Sequence, residues 1–420
     1  MQTIFFILGR NPALSIAEVH FSLDSEGISY TYILATEEVL VLSLESDFDI
    51  LDLMKRLGGT IKIGKVIDEI AFEDDETQFD QILSAENLCQ KYLEIGRGKV
   101  HIGVSVYQAG GESVYVAEIE SRLKEINLTV KTNLKEKGIG VGFVQIKDRY
   151  LSSVSVAKNS LLNHGMEMVL LVTQKGISFG KTLAVQDFSS FSYRDYYRPG
   201  KDKKSGIMPP KLARIMINIS GINKNGVLLD PFCGSGTVLS EAILLGIRKI
   251  IGTDISDRAI ADTTRNIDWI FSNFRELQRQ NYDISIRKTD IYKLDKYFPE
   301  QLIDVIVTEP FLGPALHSRP NDQASLNILN TLLPLYKEAL RQFSKILRKN
   351  GVVVMICPAF ETSTGNQFLD ITSYANESGF NLKPLFTEKY QLKDYTDRKT
   401  ILVGDKYSFL KREIIKFVKI

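Results

Sequence analysis

The chain has 420 residues, 44% of them hydrophobic and 25% charged, with a formal net charge of +1. That length suggests two or three domains and that composition an ordinary water-soluble globular protein. A net charge so near zero excludes a nucleic-acid-binding surface spread over the whole molecule, so any basic face is local. The three cysteines (Cys89, Cys233, Cys357) contain no Cys-x-x-Cys pair, and His20, His101, His164 and His317 show no ligand spacing. Neither a disulfide framework nor a metal site is expected. The start, MQTIFFILGRNPALS, lacks a basic segment before its short apolar run. No run approaches the roughly 18 apolar residues a membrane span needs, so a cytoplasmic protein without membrane association is expected; a monomer is the default expectation.

Residues 1–75 alternate β-rich runs (Thr3–Leu8, Tyr30–Ala35, Val39–Leu44) with helical patches and reach LGGTIKIG at Leu57–Gly64. This reads as α+β, a small antiparallel sheet backed by helices. Residues 76–178 read as a second such block, with strands expected at His101–Tyr107, Lys137–Ile146 and Met166–Thr173. Helices are expected there at Thr77–Glu94 and Ser113–Ile126. A linker over 179–210 follows, rich in Ser, Gly, Pro and charge, with no regular apolar period.

From 211 to 420 the pattern becomes strict strand–helix alternation. Strands are expected at Gly226–Asp230, Lys249–Ile255, Asp283–Asp290, Asp304–Pro310 and Gly351–Cys357, with the clearest helix at Ser325–Leu347. Short apolar strands alternating with helices predict an α/β domain whose parallel sheet is covered on both faces. NLKPLFTEKY and the segment from Thr400 to Ile420 are expected to add two strands, at least one antiparallel. There is no internal repeat.

DPFCGSGTVLSEA (Asp230–Ala242) follows the first strand of this domain and opens a helix. Gly234 and Gly236 let the backbone turn tightly and approach a ligand. A dinucleotide loop would carry a third glycine three positions beyond Gly236, where Leu239 stands, so NAD is disfavoured. Asp230 suits a cationic group such as an ammonium. Asp254, at the end of the next strand, suits ribose hydroxyls, and Asp290, ending the third, suits an adenine amino group. Three acids on one carboxyl edge describe a site for S-adenosylmethionine. The plainer alternative is that the glycines merely turn the chain and the acids cap helices.

At these residues the chain resembles a known family. Asp230–Thr237 is similar to the first motif of Rossmann-fold methyltransferases that modify tRNA. The segment Leu183–Gly221 resembles the approach to the catalytic domain of archaeal and eukaryotic tRNA guanosine N2-methyltransferases acting at position 10. FFILGRNPALSIAEV and LGGTIKIG resemble that family's N-terminal domain. The resemblance implies a ferredoxin-like domain (1–75), a tRNA-binding THUMP domain (76–178), a linker (179–210) and a Rossmann-like methyltransferase domain (211–420). It carries the cofactor residues onto Asp230, Gly234, Gly236, Asp254 and Asp290; Cys233, Thr237, Ile255, Ile291 and Glu309 beside them complete the expected cofactor set, with Cys233 read chiefly as small apolar filler. It also implies tRNA as partner.

DVIVTEPFLGP (Asp304–Pro314) ends a strand where enzymes that methylate base amines carry Asp-Pro-Pro-Tyr or Asn-Pro-Pro-Tyr. A guanine N2 amine is a poor nucleophile, and a site that accepts hydrogen bonds from both its N–H groups turns the lone pair out of the ring plane. Aligned on Val307-Thr308, Glu309 takes the acid position, Pro310 stiffens the loop and its carbonyl assists, and Phe311 stacks on the base. Aligned on proline–aromatic, the polar position falls on Thr308 instead; the first register is preferred. Methylation of adenine N6 in RNA or DNA, and tRNA binding by a vestigial methyltransferase, are the alternatives. In the linker, Arg194, Arg198, Lys201, Lys203, Lys204 and Lys211 interleave with Tyr193, Tyr196 and Tyr197. That mixture suits phosphate contact and base stacking, and these cations are the expected RNA contacts.

Overall fold

A computed structural model describes the chain except for residues 46–47, 74–75, 94–98, 145–147, 202–207, 317, 387–391 and 405–407. The chain divides into two units, Met1–Val19 with Glu26–Phe188, and His20–Ser25 with Ser189–Ile420.

The strands of the first unit are β1 (Gln2–Leu8), β2 (Tyr30–Ala35), β3 (Val39–Leu44), β4 (Thr60–Ala71), β5 (Val100–Gln108), β6 (Val141–Phe143), β7 (Gly165–Val172) and β8 (Gly176–Val185). They form one sheet in the order β2-β3-β1-β4-β8-β7-β5-β6. Helices in this part of the chain are α1 (Pro12–Ser25), α2 (Ile50–Arg56), α3 (Glu76–Ile82), α4 (Ala85–Asn87), α5 (Ser113–Glu136) and α6 (Ser153–Lys158).

In α5 the buried residues Val116, Ile119, Leu123, Ile126, Val130 and Leu134 recur every three or four positions and make one apolar face. The helix passes the end expected at Ile126, because Val130 and Leu134 keep the period through the weak helix formers Asn127 and Thr129. Gly138 then stops it at φ 76°, with Gly138 N–H on the Lys135 carbonyl and Ile139 N–H on that of Leu134. Of the strand expected at Lys137–Ile146, only β6 forms among the described residues.

β8 lies between β4 and β7 and pairs antiparallel with both. The sheet therefore runs on through the boundary expected at 75, and β8 extends past the one expected at 178. Inside it, Lys62 (β4) and Glu167 (β7) form a buried ion pair. Glu167 also accepts from Ser105 of β5 and Thr182 of β8, each at 2.6 Å, and the Lys62 ammonium donates to the Leu151 carbonyl at 2.6 Å. Burial pushes the Lys62 ammonium below its ordinary pKa, against the pull of Glu167.

In the second unit the chain continues through α7 (Phe188–Tyr197), α8 (Pro210–Ser220), β9 (Val227–Asp230), α9 (Thr237–Leu244), β10 (Lys249–Asp254), α10 (Asp257–Asn273), β11 (Asp283–Lys288) and β12 (Ile303–Thr308). It ends with α11 (Asp322–Ile346), β13 (Leu347–Glu361), β14 (Asn366–Phe368), α12 (Thr372–Glu377), β15 (Phe380–Leu382), β16 (Ile401–Val403) and β17 (Leu410–Lys419). The sheet order is β11-β10-β9-β12-β13-β17-β15, with β14 on β13 and β16 on β17. The first five strands are parallel and β17 runs antiparallel to β13, the mixed α/β sheet expected. Apolar residues of α11 (Leu332, Tyr336, Leu340, Phe343) share a core with Leu229, Ile306, Val353 and Met355 of the strands. The stretch expected as a linker (179–210) is in part regular structure: β8 runs on to Val185 and the helix α7 covers Phe188–Tyr197.

Removing the Lys62 ammonium strands a buried carboxylate. Lys62→Met is expected to cost about 3–5 kcal/mol, read as a lowered urea midpoint by circular dichroism.

Candidate active site

Parallel pairing sets the site. β9 is flanked by β10 and β12, with Gly252 opposite Asp230 and Ile306 opposite Leu229. The carboxyl ends of the three strands thus lie side by side, as ligand sites in open α/β sheets do. A cavity of about 510 Å³ opens there. Every residue expected to bind a cofactor or react lines it except Gly236, together with Met208, Thr289, Tyr292 and Leu335, which sequence reasoning did not single out. Four acids (Asp230, Asp254, Asp290, Glu309) line it and, among the described residues, no lysine or arginine.

Asp230 is buried; its Oδ1 accepts from Thr308 Oγ1 at 2.7 Å and from the Phe232 N–H at 3.1 Å. Burial raises its pKa to about 7, opposed by those two hydrogen bonds and reinforced by the charges of Asp254 and Glu309. A cation placed beside this carboxyl would favour its ionised form. Asp254 braces the loop by accepting from Gly234 N–H at 3.0 Å and Ser256 N–H at 2.9 Å. Asp290 caps the turn after β11, accepting from Tyr292 N–H at 3.1 Å. The helix-capping alternative is therefore partly true of Asp254 and Asp290, and their remaining lone pairs still face a ligand cavity.

Gly236 sits at φ 79° as the N-cap of α9, and a Cβ there would meet the Thr263 side chain at 2.8 Å. It shapes the turn from behind the cavity wall. Cys233 is buried, and burial, with the charge of Asp230 nearby, pushes its thiol well above its ordinary pKa against the opposing contact with Thr263; it serves as filler. Ile255 is exposed at the cavity rim, whereas Ile291 is buried.

On the far side Thr308 is committed to Asp230 while Glu309 faces the cavity, which favours the first register of the TEPF motif. Pro310 is buried. Phe311 is 55% exposed and available for stacking, whereas Leu312, in the place of the usual tyrosine, is 8% exposed. Sequence reasoning missed Arg412 of β17. Its Nε donates to Glu309 Oε2 at 2.8 Å and its Nη2 to Oε1 at 3.2 Å.

The basic linker needs correcting. Arg194 and Arg198 are buried. Arg194 Nε donates to Glu241 Oε1 at 2.6 Å, and Arg214 Nε to Oε2 of the same carboxylate at 2.8 Å. Arg198 Nη1 donates to Thr237 Oγ1 at 2.7 Å. These guanidinium groups pin α7 and α8 to α9, the helix that carries the glycine loop, and do not face phosphates. Lys211 is exposed and Lys201 partly so, as are Tyr193, Tyr196 and Tyr197; Lys203 and Lys204 lie outside the described residues.

A family model described as UPF0020, RMKL-like, methyltransferase domain, matches residues 196–370. A tRNA (guanine(10)-N2)-dimethyltransferase of Methanothermobacter thermautotrophicus is 28% identical over 185 residues, 44% of each chain. A probable tRNA (guanine(10)-N2)-dimethyltransferase of Methanothermococcus thermolithotrophicus is 34% identical over 126 residues, 29% of this chain and 73% of that one. The chain spans less than half the length of the first two curated relatives, 44% and 47%. Among solved structures, TrmN from Thermus thermophilus aligns over 100% of both chains with a TM-score of 0.55 at 15% identity, a likeness of fold.

The raised pKa of Asp230 has a stability consequence. A carboxyl that holds its proton more tightly when folded loses stability as pH rises from about 4 to about 7. Asp230→Asn removes that loss and keeps an acceptor for Thr308. Its unfolding free energy without ligand should match wild type near pH 4 and exceed it above pH 7 by roughly 2–4 kcal/mol, measured by denaturant titration at each pH.

Proposed function

Because the chain belongs to the tRNA (guanine(10)-N2)-dimethyltransferase family, we propose that it transfers a methyl group from S-adenosylmethionine to the exocyclic N2 amine of a guanosine in tRNA, at or near position 10. The observation that carries the reading is the cavity with four acids at the strand ends and, among the described residues, no lining lysine or arginine. Asp230, buried beside two other carboxylates, fits the ammonium of the methionine moiety. Asp254 offers lone pairs to ribose hydroxyls, and Asp290 with Ile291 receives the adenine. The bound cofactor supplies an electrophilic methyl group on a sulfonium.

The chain's own residues then position the amine. Glu309 accepts from one N–H and the Pro310 carbonyl from the other, so the nitrogen lone pair leaves the plane of the ring. Phe311 stacks on the base, and Glu309 takes the proton that the methylated amine sheds. Catalysis of this kind is mainly orientation and fixed electrostatics. A base paired in a stem must first leave the stack, and stacking on Phe311 offsets part of that cost. In this reading residues 1–75 act as the ferredoxin-like part and 76–178 as the THUMP part that bind tRNA away from the target. Near the target, Lys201, Lys211 and the exposed tyrosines take the contacts that Arg194 and Arg198 do not.

Incubation with labelled S-adenosylmethionine and unmodified tRNA, followed by nucleoside analysis, is expected to yield N2-methylguanosine. Methyladenosine would move the target to adenine N6, and salt-sensitive tRNA binding without transfer would make the domain vestigial. Glu309→Ala should lower kcat by about 10²–10³ and Glu309→Gln, which keeps an acceptor oxygen, by less. Equal rates for Glu309→Ala and wild type would remove Glu309 from the mechanism. A bound cation favours ionised Asp230, so the Kd for S-adenosylmethionine should weaken by up to about tenfold from pH 7 to pH 6 and level off above pH 8. Calorimetry on Asp230→Asn should show that slope flattened.

A further inference from the structure

The geometry points to Arg412 as a positioning residue that fixes the plane of the Glu309 carboxylate and so makes the site read a guanine edge in preference to an adenine edge. The inference rests on the methyl-transfer reading above. Arg412 lies outside the segment, 196–370, that the family model matches.

Glu309 has one methylene more than the aspartate or asparagine usual at such a strand end, and hence one more torsion to fix. A glutamate left to itself would spread its oxygens over several rotamers. Arg412 removes that freedom by holding both oxygens at once, Nε on Oε2 and Nη2 on Oε1. A planar guanidinium fork sets the plane of the carboxylate it grips, which a point-like ammonium does not. The register brings it there: on β13, Met355 pairs with Thr308 on one side while Pro358 pairs with Arg412 on the other. Arg412 thus starts two strands from β12, about 9–10 Å across the sheet, a span that calls for a long side chain. The neighbouring cations serve another acid: Arg319 and Lys411 contact Glu361 at 2.7 and 3.2 Å.

Each carboxylate oxygen has a second lone pair beyond the one Arg412 uses, and Glu309 lines the cavity. Guanine presents two adjacent donors to such a pair of oxygens, N1–H and one N2–H. Adenine presents one donor, N6–H, beside the lone pair of N1, which would face the second oxygen. A carboxylate locked in plane therefore accepts guanine and repels adenine, whereas a rotating one offers a single oxygen to either. The pairing supplies both orientation for the transfer and discrimination by repulsion.

The test uses the full-length Arg412→Ala and Arg412→Lys proteins. Thermal stability and S-adenosylmethionine affinity serve as controls and should stay within about twofold for affinity. For methyl transfer to tRNA, kcat in Arg412→Ala should fall about 100-fold with KM little changed. Arg412→Lys, which keeps the charge but loses the fork, should fall about tenfold. Added methylguanidine should restore at least about tenfold to Arg412→Ala and nothing to Arg412→Lys. Independently of turnover, guanosine and adenosine monophosphates are titrated against protein loaded with S-adenosylhomocysteine. The wild type should prefer the guanine nucleotide by about tenfold, and Arg412→Ala should show near parity. If Arg412→Ala fails to fold, the same measurements on Arg412→Lys decide. Wild-type kcat and wild-type nucleotide preference in a folded Arg412 variant would overturn the inference, as would a wild type without guanine preference. A wild type that prefers the guanine nucleotide but transfers no methyl group to guanosine would instead sink the proposed reaction.

Discussion

A single buried hydrogen bond, Thr308 Oγ1 to Asp230 Oδ1, ties together the ends of two adjacent parallel strands, and the candidate site is arranged around it. It makes the end of β9 and the end of β12 one surface, so that the residue after each strand end projects into the same cavity. It also explains why the acid is tolerated. Asp230 is buried next to two other carboxylates, and among the described residues Thr308 and one backbone N–H favour its charged form. Such a group is a standing cost to the fold, offset when a cation enters, which is the usual trade between stability and function at a binding site.

The glycine loop is held from outside by charge. Glu241, one turn into α9, is gripped by Arg194 of α7 and Arg214 of α8, all three buried. Both arginines also lie over the Phe191 ring, at 4.4 and 5.1 Å from its centroid. A buried carboxylate needs that much compensation. Its effect is to fix α9, and with it Thr237 and the turn at Gly236. A basic, tyrosine-rich stretch that looks like a nucleic-acid contact is thus divided. Arg194 and Arg198 build the glycine-loop side, whereas Lys211 and the tyrosines are exposed and Lys201 partly so. Local composition could not separate the two uses, because the separating fact is Glu241, more than 40 residues away from Arg194.

Much was legible before any coordinates. The four strand-end acids, the glycine turn and the parallel sheet all follow from local pattern: apolar runs of strand length, each ending in an acid, alternating with helical periods. The preference for Glu309 over Thr308 in the TEPF motif also came from local pattern, since the acid directly follows the apolar run; in the fold Thr308 bonds Asp230 and Glu309 lines the cavity. What local pattern missed was pairing. β8 reads as a strand only once β4 and β7 are known to flank it, and through it the blocks expected at 1–75 and 76–178 share one sheet. The polar network of Lys62, Ser105, Glu167 and Thr182 joins four strands through residues up to 120 positions apart, and no one of them carries a local mark of it.

The sequence by itself placed Asp230 and Asp254 at the ends of their strands and Asp290 and Glu309 within two residues of theirs, because side-chain periodicity and turn chemistry act over a few positions. It therefore determined the α/β class and the acidic carboxyl edge. Only the tertiary structure decided who neutralises, braces or orients those acids. Arg412 reaches Glu309 across 103 residues of chain, by an antiparallel register that no local feature announces. An ion pair depends on position in space and not on spacing along the chain. The partners of the site's charges were for that reason the part that had to be seen folded.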